Sequence, residues 1–191
     1  MVMYAVYFVL AYLMGNILGG RLLSVVFKED LVDKGSGNMG ARNAGRVFGM
    51  QAFFFVAVVD FFKGFLIIIL LKVFAVNNIV IFLCMILVVL GHIKPIFFKF
   101  KGGKGVATFL GALSAVSINV FLIFVLCVLI IFILTKSLTI GFYSALPFMI
   151  FITYLEFKSF VLCLIFTLLV IVLSVFALDD IQKSFDKYFT K

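Results

Sequence analysis

The sequence predicts an all-α, polytopic membrane protein with about seven transmembrane helices, its N-terminus outside and its C-terminus cytoplasmic. Three observations lead there. Of the 191 residues, 66% are hydrophobic and only 13% charged, where soluble domains carry about 25% charge. Mean hydropathy is +1.36, and apolar runs long enough to cross roughly 30 Å of hydrocarbon recur along the chain. The cations gather in alternate loops, which sets an orientation.

The first apolar segment covers about 3–24. It lacks a basic leader and an A-x-A cleavage site, so it is expected to be a retained span and not a signal peptide. The second covers about 50–74, and the turn "VNN" leads to the third at about 78–93. The run from Val106 to Leu134 is too long for one ordinary span and too short for two. It divides at "SIN", Ser117–Asn119, into a short helix and a normal one. The last two segments cover about 140–155 and 159–178, with "EFK" between them. One compact bundle over 1–191 is expected, with no separate soluble domain.

The cations alternate between loops. Arg21, Lys28, Lys34, Arg42 and Arg46 flank or occupy the first loop, and Lys94, Lys99, Lys101 and Lys104 the third. Lys136 sits in the fifth, and Lys183, Lys187 and Lys191 in the tail. These are 13 of the 16 Lys and Arg residues. The intervening loops hold only Lys158, with Lys72 near the end of the second span. Sorting of cations to the inner side puts every chemically rich loop in the cytoplasm, and the net charge of +8 reads as this bias and not as a nucleic-acid footprint. Cys84, Cys127 and Cys163 lie in separate apolar runs and His92 is the only histidine. No metal-ligand spacing exists, and neither metal nor cofactor is expected.

Two loops carry the chemistry. The first reads "DKGSGNMGARNAGRVFG", residues 33–49, with five glycines among Ser36, Asn38, Asn43, Arg42 and Arg46. Glycine lets successive N–H groups converge on an anion, Ser and Asn add side-chain donors, and Arg adds a fork suited to phosphate. A flexible interfacial turn is the plainer reading of the same residues. The third loop reads "GHIKPIFFKFKGGKGVAT". Gly103 and Gly105 bracket Lys104 where the next helix begins, a position that favours anions. It is not a nucleotide-binding P-loop, because Phe98 and Gly105 stand where that pattern needs Gly and Ser or Thr. Within the second span, Asp60 and Lys63 of "DFFKG" lie three apart on one helix face, so they can pair inside the bundle. The alternative is a ligand contact. His92, beside the Gly–Lys loop, is either a hydrogen-bonded structural residue or a base.

At these residues the chain resembles the bacterial membrane acyl-phosphate:glycerol-3-phosphate acyltransferases, the PlsY family. "GSGNMGARNAGR" is similar to that family's first motif, GSGNxGATNxxR; "DFFKG" resembles its D-x-x-K-G; and "GHIKPIFFKFKGGKGVAT" is very close to its second motif, GHxxPxFxxFKGGKGVAT. The likeness runs to about residue 145. It implies transfer of a fatty acyl group from acyl phosphate to position 1 of glycerol 3-phosphate, giving lysophosphatidic acid and phosphate at the start of phospholipid synthesis. By the resemblance, Ser36, Gly37, Asn38 and Gly40 hold the acyl phosphate. Arg46, Lys104 and His92 serve glycerol 3-phosphate and the reacting centre, with Gly103 and Thr139 as further acceptor contacts. It also implies a multi-pass protein of the bacterial cell membrane, an acyl-chain groove open to membrane lipid, and contact with the enzyme that makes the acyl phosphate. The acceptor's proton could pass to His92 or to the departing phosphate.

The chain departs from the family pattern in several places. Met39 replaces a Pro and Arg42 a Thr, while Lys136 and Thr139 stand for an Arg and a Ser. The family's third motif, H-R-x-N-I-x-R-L-x-x-G-x-E, contacts glycerol 3-phosphate from the tail. It has no counterpart in "ALDDIQKSFDKYFTK". A diverged family member that binds lipid or phosphate ligands without catalysis is therefore the alternative reading. An anion transporter is the other, disfavoured because no internal repeat is present and the cations lie on one side.

Overall fold

The computed structural model describes residues 2–189; the tail cation Lys191 lies outside them. Among the described residues there is no strand. By contacts the chain forms two compact units, Met1–Val116 and Ser117–Lys191.

In the first unit the opening apolar run is not one helix. It breaks into α1 (Val2–Gly15) and α2 (Gly19–Phe27), bent by 40°. A break at membrane depth persists only where the freed backbone groups find partners inside the protein, and here two buried charges, Asp60 and Lys63, supply them. The first loop is also more structured than its glycines suggest. A 3-10 turn at Leu31–Asp33 precedes α3 (Ala41–Phe48), which leads directly into α4 (Met50–Val73). At 1.5 Å per residue, α4 is about 36 Å long and able to cross the bilayer. Next comes α5 (Asn78–Ile93), capped by Asn77, whose Oδ1 accepts from the Val80 N–H at 3.0 Å. A 3-10 turn at Ile96–Phe98 and the Gly–Lys loop then enter α6 (Val106–Val116).

Packing in this unit pairs α4 with α6, α1 with α5 and α3 with α4. The α4–α6 contact is backbone-close. A Cβ added at Gly64 would overlap the Thr108 carbonyl, and one at Gly111 the Phe61 carbonyl. Association of helices in lipid relies on such small-residue contacts, because apolar burial adds little there.

The second unit contains α7 (Ile118–Thr135), α8 (Leu138–Phe157), α9 (Phe160–Val175) and the amphipathic α10 (Leu178–Phe189). Its turns share one device. Lys136 and Lys158 end α7 and α8 in the left-handed conformation, and Ser137 and Ser159 cap α8 and α9. Ser117 caps α7 in the same way and stands at the division read from sequence. On α7 only Val120 and Phe124 are buried; it packs on α8, and its exposed apolar side chains such as Leu122, Leu126 and Ile133 are suited to lipid.

Each of the seven expected apolar segments contains helix, but length separates them. Among the described residues, four helices are long and apolar enough to cross a membrane: α4, α5 counted with its 3-10 turn, α7 and α8. The number rises to six if each bent pair, α1–α2 and α9–α10, is one span. At 11 residues, α6 extends about 16 Å, too short to cross alone.

Candidate active site

The first loop is ordered around one buried side chain, Asn43. Its Oδ1 accepts from the Ser36 N–H at 2.8 Å, and its Nδ2 donates to the carbonyls of Leu31 at 3.2 Å and Lys34 at 3.0 Å. Gly35 and Gly37, at φ +61° and +70°, let the chain turn tightly over this amide; a side chain is disfavoured in that region. The Gly37 N–H closes the turn on the Lys34 carbonyl at 3.0 Å. Asn38 Oδ1 then accepts from the Gly40 N–H at 3.0 Å, directing the chain into the N-terminus of α3. Ser36 and Gly37 are exposed, while Asn38 and Gly40 are half-buried. Arg42 and Arg46 stand exposed on α3.

Beneath the loop, Leu31, Met39 and Ala44 pack with Leu18, Leu23 and Val56, and Phe98 of the third loop lies against them. Full burial of a side chain the size of Leu31 or Met39 is worth roughly 1.5–3 kcal/mol, enough to hold a glycine-rich segment in place. A polar brace runs alongside. Arg21 donates to Asp30 at 2.5 Å and lies over the Phe98 ring, 5.3 Å from its centroid. The Arg21 hydrogen bond is the chief reason that the Asp30 carboxyl is held below its ordinary pKa, with the more distant Lys101 adding to it.

The two loops meet directly. The Met39 N–H donates to the Gly102 carbonyl at 3.5 Å, so Ser36–Gly40 and Gly102–Lys104 share one seam. In the third loop the Gly103 N–H donates to the His92 carbonyl at 3.1 Å. A Cβ on Gly103 would overlap His92 Nε2, so only glycine fits there. Lys104 comes next, half-buried. Gly105, at φ +80°, begins α6, its carbonyl accepting from the Phe109 N–H at 2.8 Å.

Asp60 and Lys63 form an ion pair at 3.0 Å, with side chains 3% or less exposed. They sit at the α1–α2 break with the polarity that the helix ends require. Lys63 donates to the carbonyls of Gly15 at 3.0 Å and Ile17 at 2.5 Å, at the negative end of α1. Asp60 accepts from the Gly19 N–H at 3.2 Å, at the positive end of α2. His92 joins them, its Nδ1 2.7 Å from Lys63 Nζ and 3.5 Å from Asp60 Oδ1.

Of the residues singled out from sequence, the structure thus unites Ser36–Gly40 with Gly103 and Lys104 along the seam, and Asp60 and Lys63 with His92 below it. Arg46 lies one helix turn along α3. Thr139 is buried in the first turn of α8, in the second unit. Sequence reasoning passed over the bracing roles of Asn43, Arg21 and Asp30. Asn43 was open to recognition as a buried-type amide in a glycine-rich loop. The Arg21–Asp30 pair, in separate segments, carried no pattern.

The fold and the site define a helical, membrane-type protein in which two glycine loops converge beside a lysine and a helix N-terminus. The chain belongs to the glycerol-3-phosphate acyltransferase family, whose model matches residues 5–185. It resembles a crystal structure of PlsY (YgiH), an integral membrane glycerol 3-phosphate acyltransferase, in its glycerol 3-phosphate form. The TM-score is 0.87 and the identity 30%, over 97% of this chain and 93% of that one. The lysophosphatidic acid form matches with a TM-score of 0.85 at 29% identity. Among curated relatives, glycerol-3-phosphate acyltransferase 1 of Bacillus cereus (strain ATCC 14579) is 41% identical over 110 residues, 57% of this chain and 60% of the relative. The Aquifex aeolicus (strain VF5) enzyme is 43% identical over 113 residues, 59% of each. The matched stretch thus spans less than two thirds of these relatives' length.

Proposed function

We propose that this protein is a glycerol-3-phosphate acyltransferase that takes a fatty acyl group from acyl phosphate and releases lysophosphatidic acid and phosphate. The observation that carries the reading is the Met39–Gly102 contact, which puts two anion-binding loops side by side. Acyl phosphate is already activated, so the protein's task is to hold two anions together and keep water out. Ser36, Gly37, Asn38 and Gly40 shape the donor-phosphate site. The N–H groups of Ser36, Gly37 and Gly40 already donate within the loop, so the Ser36 hydroxyl and the Asn38 side-chain amide are the donors to the phosphate. Arg46 and Lys104 take the phosphate of the acceptor, and Gly103, whose N–H is given to the His92 carbonyl, shapes the loop that carries Lys104. The acceptor hydroxyl oxygen attacks the acyl carbon, the bond from that carbon to the phosphate oxygen breaks, and the released phosphate carries the proton away in the net reaction. Proximity of this kind supplies on the order of 7–11 kcal/mol when orientation is good.

In this reading the whole chain works as one domain of seven membrane segments, N-terminus outside and C-terminus inside, in the bacterial cell membrane. The seam then faces the cytoplasm, where both substrates and the enzyme that makes acyl phosphate are found, and the acyl chain lies among lipid-facing helices. No cofactor takes part. The tail observation favours one alternative: α10 carries no histidine, arginine or glycine, so a ligand-binding family member without catalysis is the competing reading. The purified protein in detergent, given acyl phosphate and a panel of acceptors, separates the two. Phosphate release that requires glycerol 3-phosphate supports the enzyme. Binding without release supports the alternative.

A further inference from the structure

The helix break and the third loop are joined through a single histidine. Lys63 Nζ approaches His92 Nδ1 to 2.7 Å, and an ammonium has hydrogens to donate and no lone pair to accept with. Four acceptors surround Lys63 Nζ, which has three hydrogens. The Ile17 carbonyl at 2.5 Å and Nδ1 at 2.7 Å are the closest and take one each, and the Gly15 carbonyl and Asp60 Oδ1, both at 3.0 Å, share the third. Nδ1 therefore presents its lone pair, and the one ring proton resides on Nε2. Asp60 Oδ1, the other neighbour of Nδ1, is farther away at 3.5 Å. It also already accepts from Lys63 and from the Gly19 N–H. The opposite edge of the ring packs on Gly103, where a Cβ would overlap Nε2, and Gly103 immediately precedes Lys104. The imidazole is 3% exposed and is held at both edges.

We propose that Lys63 is a positioning residue that fixes His92 as the Nε2–H tautomer. The ring then offers the Gly–Lys loop a hydrogen-bond donor and no proton-accepting nitrogen. The pair on α4 thus has two tasks: it closes the break between α1 and α2, and it sets the polarity of the ring on which the third loop rests. Resting on the acyl-transfer reading, this makes His92 a support for negative charge held by the loop, so the acceptor hydroxyl does not lose its proton to this ring. The neighbours of Nδ1 also predict the effect of removing Lys63. Asp60 alone remains, it can only accept, and it draws the proton to Nδ1.

The chain contains one histidine, so 15N-histidine labelling of the full-length protein in nanodiscs yields a single pair of ring nitrogens. Near neutral pH and without substrate, the wild type should show an unprotonated, pyridine-type Nδ1 and a protonated, pyrrole-type Nε2. In Lys63→Met the proton should move to Nδ1. A protonated Nδ1 in the wild type overturns the proposal, and so does an unchanged Nδ1 in folded Lys63→Met. If the variant does not accumulate, the wild-type spectrum decides alone. The spectrum needs neither substrate, so its failure is separable from failure of the acyl-transfer reading: an active enzyme with a protonated Nδ1 removes only the tautomer assignment.

Discussion

The N–H of Met39 donates to the carbonyl of Gly102, and through this bond the two glycine-rich loops become one surface. Within each loop the N–H groups of Ser36, Gly37, Gly40 and Gly103 are given to the protein's own acceptors, which fixes the shape of each turn. In the acyl-transfer reading, the joined surface brings Lys104 and the arginines on α3 to two anions that would otherwise repel. Met39 is itself only 1% exposed, so the seam is fixed from the apolar side as well as by hydrogen bonding.

If the third loop is a phosphate cradle, its lysines are not equivalent. Lys104 is half-buried between Gly103 and Gly105, whereas Lys99 and Lys101 are exposed and suited to anionic headgroups, worth about 1 kcal/mol each. Lys104→Ala should lower acyl transfer about tenfold to a hundredfold, the loss of a charge-assisted contact of roughly 1.5–3 kcal/mol. Lys99→Ala should stay within a few-fold. Gly103→Val should match Lys104→Ala without any change of charge, because its Cβ would displace His92. Phosphate release at matched membrane levels checks all three. Equal loss in Lys99→Ala and Lys104→Ala would mean a diffuse basic surface and no cradle.

Asn43 is the second test of the seam. Asn43→Ala removes three hydrogen bonds, each worth about 0.5–1.5 kcal/mol net. It leaves the Ser36 N–H without its acceptor, while the carbonyls of Leu31 and Lys34 keep one backbone donor each. The melting temperature and phosphate release should fall together. Asn43→Asp keeps the acceptor for the Ser36 N–H but sets a carboxylate against two carbonyls, so it should be at least as damaging as alanine. A tolerated aspartate would show that the amide donors are dispensable.

Much of this architecture was legible in the sequence because it is local. Apolar runs located the helices, Ser117 marked the division between α6 and α7, and the three-residue spacing of Asp60 and Lys63 put them on one face. What escaped is what depends on distant residues. The run from 3 to 24 carries Gly15, Asn16, Gly19 and Gly20 around the break, but what stabilises that break is a pair of side chains on α4. The helix α3 hides in a glycine-rich loop because its Gly45 makes room for the Phe53 ring, a tertiary reason. The partners of Asn43 are backbone groups, which leave no pattern in a sequence, and His92 gave no sign that its neighbour would be an ammonium.

The buried pair should reveal itself by the cost of breaking it. Asp60→Ala leaves the Gly19 N–H without its acceptor and Lys63 without its counter-charge, and an uncompensated buried charge costs about 3–5 kcal/mol. A lowered melting temperature or poor membrane accumulation is expected. Adding Lys63→Met should restore part of the loss, since removing both charges is far milder than removing one. Full restoration is not expected, because the carbonyls of Gly15 and Ile17 lose their donor. Wild-type melting of Asp60→Ala would show that water reaches the pair.

The orientation of the seam rests on α4. This helix joins the first loop to the turn before α5, and its length of about 36 Å exceeds the roughly 30 Å hydrocarbon layer. Its two ends should therefore emerge on opposite sides of the membrane. If cations sort to the inner side, the first loop should face the cytoplasm. Single cysteines introduced by Ser36→Cys and by Asn78→Cys, both at exposed positions, test this in a background with Cys84, Cys127 and Cys163 replaced by alanine. An impermeant maleimide applied to intact cells should label the protein carrying Asn78→Cys. It should reach the protein carrying Ser36→Cys only after the membrane is opened. Labelling of both from outside would put the seam on the wrong face for a cytoplasmic substrate, and labelling of neither before opening would mean that α4 does not cross.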